Sequence, residues 1–176
     1  MAIHLVFETH STTEDNEAGR ATGWLPGRLS EAGRDHAREL GLRRANDGLD
    51  AVFTSDLGRA LETVAIAFSD TRLPVFHDWR LRECDYGSWS GSSAADLDRP
   101  HHVDTPYPSG ETWTQAITRV ERFVHDLQPR WSECRVLVIG HTATRWAFDH
   151  LIDGVPIEEL VSEPFTWQEG WEYRLA

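Results

Sequence analysis

Two histidines, one arginine and one glutamate in this sequence could act together on an anionic substrate. His10 and His141 each follow a short apolar run, Arg59 follows a third run by a few residues, and Glu83 lies in a polar segment. An imidazole can attack phosphorus, a guanidinium can hold two oxygens of an anion, and a carboxylic acid can protonate a leaving oxygen. Each residue alone has an ordinary structural explanation. Together they predict a site for chemistry on an anionic group.

Three apolar runs rich in β-branched or aromatic residues precede these groups, at residues 3–7, 51–54 and 135–139. Each run ends just before a polar turn, which is typical of a buried parallel strand. In sheets built from such strands, ligands bind outside the carboxyl ends of the strands. We therefore expect the candidate residues to meet at one edge of a sheet.

Stretches of helical periodicity separate the strands. Ser30 is expected to cap a helix that runs to about Asn46, and a second helix is expected after Ser55. Two further helices are predicted, from Gly110 to about Leu127 and from Thr142 to about Leu151. The alternation of strands and helices predicts an α/β fold, a three-layer α/β/α sandwich with a mostly parallel central sheet.

Length and charge restrict the class of protein and its partners. The 176 residues fit a single domain over 1–176, in which the irregular segment at about 88–110 is interpreted as a short lid or insertion. A net charge of -12 argues against nucleic acid and acidic membranes as partners. The lack of a leader-like or membrane-length apolar stretch predicts a cytoplasmic protein. A small anionic substrate must then be held by local groups.

Cysteine and tryptophan usage leads to two structural expectations. Cys84 and Cys134 are too few for a disulfide framework and are expected to be free thiols. The acidic neighbours of Cys84 would raise its pKa, which disfavours a thiolate nucleophile there. The tryptophans of the segment 167–171 are expected in the core, with a lid or an interface as alternatives.

No metal or other cofactor is predicted. His101, His102 and Asp104 lie close together in the sequence, but adjacent histidines point in different directions on most backbones. The chain has no HExxH or Cys-His ligand spacing that would support a metal site there. These histidines could instead contact a substrate.

The segment from Thr9 to Asn16 resembles the histidine phosphatase signature, Arg-His-Gly-Glu-Thr followed by two residues and Asn. Four more segments resemble the other sequence blocks of that superfamily, in the same order along the chain: 29–34, 54–60, 81–87 and 138–141. The resemblance covers about residues 1 to 150. It implies the fold of the phosphoglycerate-mutase-like proteins.

The resemblance also implies a phosphomonoesterase that acts on a small phosphorylated metabolite through a covalent intermediate. His10 would carry the phosphoryl group, and Glu83 would act first as proton donor and then as base for water. His141 would stabilise the transferring group, while Arg59 would bind its oxygens. Asn16 would line the pocket. The backbone N–H of Thr142, at the start of a helix, could donate to an anion.

Three positions depart from the family pattern. Thr9 replaces the arginine before the nucleophilic histidine, Ser11 replaces the following glycine, and Thr142 replaces the glycine after the second histidine. These positions are still expected to contact the substrate. The missing guanidinium would normally clamp a phosphate, so another cation is expected to replace it unless the substrate differs. Three candidates are available: Arg20, Arg82 and Arg145.

The departures leave two alternative functions open. One is a biosynthetic isomerase, lyase or cyclase that uses His10, Glu83 and His141 for acid-base chemistry on a non-phosphorylated compound. The other is a catalytically inactive relative that acts as a binding or regulatory module. Retention of all four central residues argues against an inactive protein. Within the family, hydrolysis is favoured over mutase action because a short chain leaves less room to shield a phosphoenzyme from water.

Overall fold

The computed structural model describes residues 2–175 and contains one five-stranded sheet in order β3-β2-β4-β1-β5. The first four strands are parallel, whereas β5 pairs antiparallel with β1. The strands are β1 (Ile3–Thr9), β2 (Ala51–Thr54), β3 (Val75–His77), β4 (Arg135–Gly140) and β5 (Trp171–Leu175). The α-helices are α1 (Glu14–Glu17), α2 (Glu31–Arg44), α3 (Gly58–Ala67), α4 (Trp113–Leu127), α5 (Thr142–Asp153) and α6 (Ile157–Ser162).

Helices cover both faces of the sheet. Leu5 and Phe7 of β1 belong to a core cluster with side chains of α4 and α5, whereas Val6 packs with side chains of α2 and α3. Strands buried on both faces must be apolar at consecutive positions, which is the pattern seen in β1 and β4. The predicted three-layer α/β/α architecture and its mostly parallel sheet are confirmed.

The predicted helix boundaries need small corrections. The helix predicted from Gly110 starts at Trp113, because the Thr112 hydroxyl accepts from the backbone N–H of Gln115 and the Gln115 side chain accepts from the N–H of Thr112. Gly110 belongs to the preceding turn. The helix that follows Ser30 ends at Arg44, slightly before the expected boundary.

The C-terminal edge strand β5 was not predicted, and it changes the interpretation of the tryptophans. Trp171 lies in β5 with its ring 5.7 Å from that of Phe7, so it packs on the core. Trp167 lies in the loop before the strand and is 58% exposed. The expectation of a core position is therefore wrong for Trp167.

Residues 88–110 contain short 3-10 turns instead of long helices or strands. Leu97, Val103 and Tyr107 are buried in an apolar cluster that includes Trp113 of α4 and Trp146 of α5. The segment therefore packs firmly on two helices beside the carboxyl ends of the strands. Its interpretation as a lid stays a prediction.

Cys84 and Cys134 are free thiols, as predicted, and burial raises the pKa of Cys84 well above its usual value with help from the Glu111 and Glu83 carboxylates. Across residues 2–175, none of the helices has both the length and the apolar character needed to cross a bilayer.

Candidate active site

The two candidate histidines lie side by side because β1 and β4 are neighbours. Thr9 pairs with Gly140 in the ladder, and the backbone N–H of His10 donates to the Gly140 carbonyl oxygen at 2.9 Å. The ring centres of His10 and His141 are 5.0 Å apart. A Cβ at Gly140 would lie 2.7 Å from the Thr144 hydroxyl oxygen, so a glycine is needed where the chain turns from β4 into α5.

Arg59 projects from the first turn of α3 to a position between the two imidazoles. Its side chain is buried, and it donates to the carbonyl oxygens of Gly23 at 2.8 Å and Leu25 at 3.1 Å. Its Nε lies 3.3 Å from Nε2 of His10, and its terminal NH2 nitrogen lies 3.3 Å from Nδ1 of His141. The two backbone carbonyls thus fix a guanidinium against both rings.

The hydrogen bonds of His10 determine which of its nitrogens carries a lone pair. Nδ1 lies 2.8 Å from the carbonyl oxygen of Ser11, which can only accept, so Nδ1 bears the proton. Burial, followed by the positive charge of Arg59, lowers the pKa of His10 to about 3. The ring is therefore neutral near pH 7, and its Nε2 lone pair faces the guanidinium.

His141 is buried and also neutral. Its Nε2 lies 2.7 Å from the hydroxyl oxygen of Ser55, the residue directly after β2. Burial, followed by the charge of Arg59, lowers the pKa of His141 well below 6.5. Because Arg59 can only donate, Nδ1 of His141 accepts and Nε2 donates to Ser55. A hydroxyl can reverse this bond, so Ser55 can support either tautomer.

Glu83 is held in place by backbone and side-chain donors. Its carboxylate Oε1 accepts from the N–H of Cys84 at 2.9 Å and from the N–H of Ala143, in the first turn of α5, at 3.0 Å. Its carbonyl oxygen accepts from the buried Arg119, which also donates to the Glu111 carboxylate. Arg119 and Glu111, which had no predicted catalytic role, thus position the loop that carries Glu83.

A small cavity of about 120 Å³ contains most of these groups. We call it the arginine cavity, because three arginines, Arg20, Arg59 and Arg99, line it together with His10 and Glu83. Within residues 2–175, neither Arg20 nor Arg99 forms an ion pair, and Nε of Arg99 is buried without a hydrogen-bond partner. Unpaired guanidinium groups beside a buried one make this cavity suited to an anion.

Two of the three arginines suggested as replacements for the missing guanidinium are in the wrong place. Arg82 forms an ion pair with Asp56 at 2.6 Å, and Arg145 forms one with Asp149. Neither lines the arginine cavity, whereas Arg20 does. Sequence reasoning missed Arg99, which belongs to the irregular segment, where no periodic pattern indicates the direction of a side chain.

A second cavity of about 520 Å³ meets the first one at three shared residues: His10, Asn16 and Thr142. We call it the outer cavity. Thr9 and Ser11 line the outer cavity only. The predicted substrate-binding positions are thus divided between the two cavities.

Asn16, Ser11 and Thr142 also differ in the hydrogen bonds that they form within the protein. The Asn16 side chain accepts from both the N–H and the hydroxyl of Thr13, so it caps the short helix α1. Ser11 uses its carbonyl to orient His10 and its N–H to donate to the Thr63 hydroxyl. Thr142 is the first residue of α5, and its N–H has no partner in the described part of the chain. A free N–H at a helix start can bind an anion.

The histidine pair in the irregular segment has structural contacts. The His102 ring stacks on Tyr107 at 3.8 Å, and its Nδ1 lies 2.9 Å from the carbonyl oxygen of Thr105. Asp104 accepts from the Thr114 hydroxyl at 2.8 Å. His102 and Asp104 stabilise the segment in which they lie, and neither lines either cavity.

Comparison with known sequences identifies the superfamily of this chain. The sequence model of the histidine phosphatase superfamily (branch 1) matches residues 5–166. The chain belongs to the histidine phosphatase superfamily. This confirms the resemblance drawn from the five sequence segments and the prediction of a phosphatase-type enzyme.

Three known proteins are similar to the chain over most of its length. It is 27% identical to phosphoserine phosphatase 1 of Hydrogenobacter thermophilus, over 91% of this chain and 81% of that protein. It is 31% identical to a 2,3-bisphosphoglycerate-dependent phosphoglycerate mutase of Methylorubrum populi, over 97% of this chain and 89% of that protein. The solved structure of Bacillus stearothermophilus YhfR superposes with a TM-score of 0.85 at 28% identity, covering 95% of this chain and 88% of that one.

Proposed function

We propose that this histidine phosphatase is a phosphomonoesterase that acts on a small phosphorylated metabolite through a phosphohistidine at His10. The observation that carries the proposal is the content of the arginine cavity: the unprotonated Nε2 of His10 and a carboxyl group, together with three guanidinium groups. Phosphoryl transfer depends mainly on placed positive charge and on the alignment of the nucleophile with the leaving group. This cavity supplies the positive charge, the nucleophile and a carboxyl group as proton donor.

In the first step, the Nε2 lone pair of His10 forms a bond to phosphorus while the bond between phosphorus and the ester oxygen breaks. The carboxylic acid of Glu83 gives its proton to the departing oxygen, so an alcohol leaves. Nδ1–H of His10 remains bonded to the Ser11 carbonyl and stabilises the positive charge that the ring gains. Arg59 and the N–H of Thr142 bind the phosphoryl oxygens.

In the second step, water attacks phosphorus and the phosphorus–nitrogen bond breaks. The Glu83 carboxylate takes a proton from this water, and His10 leaves as a neutral imidazole. Inorganic phosphate is released, and both residues return to their starting protonation states. When the Ser55 hydroxyl donates to Nε2 of His141, the proton of this neutral ring lies on Nδ1, which can then donate to a phosphoryl oxygen on the neighbouring His10.

The size of the arginine cavity favours hydrolysis over mutase action. A volume of about 120 Å³ accommodates one phosphoryl group, and among residues 2–175 the only arginine that lines the outer cavity is Arg43, which is paired with Glu8. A mutase substrate carries a second anionic group, which would need unpaired arginines there. The outer cavity instead contains the glutamates Glu39 and Glu169, which would repel an anion.

The test is phosphate release from a broad panel of phosphomonoesters, followed by detection of the intermediate. Wild-type protein should hydrolyse some members, and His10→Ala should abolish that hydrolysis. A matched control is His125→Ala, because the His125 side chain is 85% exposed. Intact-mass measurement of acid-labile phosphate on rapidly quenched protein should show one phosphoryl group on wild type and none on His10→Ala.

Two results would contradict the proposal. Hydrolysis that survives in His10→Ala would exclude a covalent intermediate at this residue. Turnover of a non-phosphorylated compound without phosphate release, in the absence of any phosphatase activity, would favour the isomerase, lyase or cyclase alternative.

A further inference from the structure

The outer cavity differs chemically from the arginine cavity that it joins. Phe165 and Trp167, from the loop before β5, contribute aromatic surface to it, while Glu39 of α2 and Glu169 contribute carboxylates. Thr9 also lines it, and a short side chain at this position leaves the volume next to His10 open. The cavity has a volume of about 520 Å³, which is enough for a drug-sized organic group.

The charged groups of the outer cavity leave a net negative wall. Glu8 is buried and is neutralised by Arg43 at 3.1 Å and Arg44 at 2.8 Å. Arg43 is therefore not available to a ligand. Within residues 2–175, Glu39 and Glu169 form no ion pair, and both residues are exposed at the cavity. The unpaired charge of the outer cavity is thus opposite in sign to that of the arginine cavity.

The two cavities are adjacent, because His10, Asn16 and Thr142 line both of them. A molecule whose phosphoryl group lies among the arginines would reach the outer cavity by passing these shared residues. Such a molecule would bring its organic part against aromatic rings and unpaired carboxylates.

We infer that the outer cavity binds the organic part of the substrate and selects an aromatic group that carries a positive charge, such as a ring with an attached amine. The inference rests on the proposed phosphomonoesterase function and names its substrate class. Aromatic faces attract organic cations, and the negative charges of the two carboxylates attract them as well. A second phosphate or a carboxylate on the substrate would be repelled by Glu39 and Glu169.

The test uses three para-substituted phenyl phosphates that differ only in the group at the end of the substituent. Their ethyl-linked substituents are trimethylammonium, the isosteric neutral tert-butyl group, and carboxylate. For wild-type protein, kcat/KM should fall in that order, by about tenfold in all, as expected for two partly exposed carboxylates and one aromatic contact. Most of this difference should lie in KM, because the substituent is remote from the bond that breaks.

Variants locate the source of the preference. Glu39→Gln combined with Glu169→Gln should reduce the preference for trimethylammonium over tert-butyl to about twofold or less. Trp167→Ala should weaken the binding of both aryl esters. The charge-matched control is Glu121→Gln combined with Glu158→Gln, two exposed positions outside the outer cavity, which should keep the wild-type preference.

A second measurement separates this inference from the proposed function. Calorimetry on the corresponding phenols, which carry no phosphate, measures binding to the outer cavity without turnover. Preferential binding of the trimethylammonium phenol that is lost in the double glutamine variant would support the inference even if no ester were hydrolysed, in which case only the phosphatase proposal would fail. Equal affinities and equal kcat/KM values for the three substituents would overturn the inference, as would the same preference in the double variant.

Discussion

The low pKa of His10 can be tested through the pH dependence of stability. In the unfolded chain an imidazole has a pKa near 6.5, whereas burial and Arg59 lower the pKa of His10 in the folded protein to about 3. As the pH falls through 6.5, the unfolded state therefore takes up a proton that the folded state does not. Proton binding then favours unfolding, so His10 should destabilise the protein increasingly between about pH 6.5 and pH 3.

The size of this effect follows from the two pKa values. Between pH 7 and pH 5, linkage with values of 6.5 and about 3 gives a loss of about 2 kcal/mol in the free energy of unfolding from His10 alone. The variant His10→Asn lacks this titration, while its amide can still donate to the Ser11 carbonyl. The difference in unfolding free energy between wild type and His10→Asn should therefore shift by about 2 kcal/mol in favour of the variant over this range.

Urea unfolding at several pH values measures this difference, with tryptophan fluorescence and circular dichroism as independent probes. The buffers must contain neither phosphate nor sulfate, since an anion in the arginine cavity would stabilise the folded state. His125→Asn is the matched control for the loss of an imidazole from the surface. A shift of less than about 0.5 kcal/mol between wild type and His10→Asn would show that His10 protonates in the folded protein, contrary to the neutral nucleophile proposed above.

Three further predictions concern the anion site. Arg59→Ala should weaken the binding of inorganic phosphate by about 10²-fold to 10³-fold in calorimetry. Arg59→Lys should recover only part of this affinity, because an ammonium lacks the planar pair of donors of a guanidinium. Near-normal phosphate binding in a folded Arg59→Ala variant would mean that other residues bind the anion. Thr9→Arg adds a guanidinium at the end of the outer cavity next to His10, from which it can reach a phosphoryl group on His10, and it should raise kcat/KM on a simple aryl phosphate about tenfold or more. An unchanged or lower rate in a folded variant would mean that Arg20 or Arg99 already supplies this charge or that the site does not process phosphate. Glu83→Gln should lower kcat by about 10²-fold to 10⁴-fold. The loss should be smaller for esters of acidic phenols, because an acidic phenol can leave as an anion without receiving a proton. Equal losses for esters of acidic and weakly acidic phenols would argue against Glu83 as the proton donor.

Much of the framework was predictable because it depends on local pattern. Apolar runs that end in polar turns indicated β1, β2 and β4, and a parallel sheet places His10 and His141 at the same edge. That the two histidines are neighbours depends on the strand order, in which β4 lies next to β1. Ser30 was correctly predicted as a helix cap because a hydroxyl before a periodic stretch satisfies free backbone N–H groups. The three-residue strand β3 and the edge strand β5 carry no comparable signal, since short or half-exposed strands lack a long apolar run.

Local sequence pattern could not predict which arginines form ion pairs and which line the cavity. Arg82 pairs with Asp56 across 26 residues of sequence, and only the folded chain brings them together. Arg99 became a candidate because the irregular segment packs on Trp113 and Trp146 and thereby carries a guanidinium to the cavity that holds Glu83. Which charges are paired and which face a cavity is a property of the packing.

The sequence by itself determined the superfamily, the layered architecture and the set of groups available for chemistry. These depend on the order of side chains along the chain, which strands and turns convert into positions at one edge of the sheet. Only the tertiary structure decided that the Nε2 lone pair of His10 faces Arg59 and that two cavities, one lined by unpaired arginines and one by unpaired glutamates, lie beside this ring. Both properties arise from burial and from contacts between distant residues, because these set the protonation of a ring and the pairing of a charge.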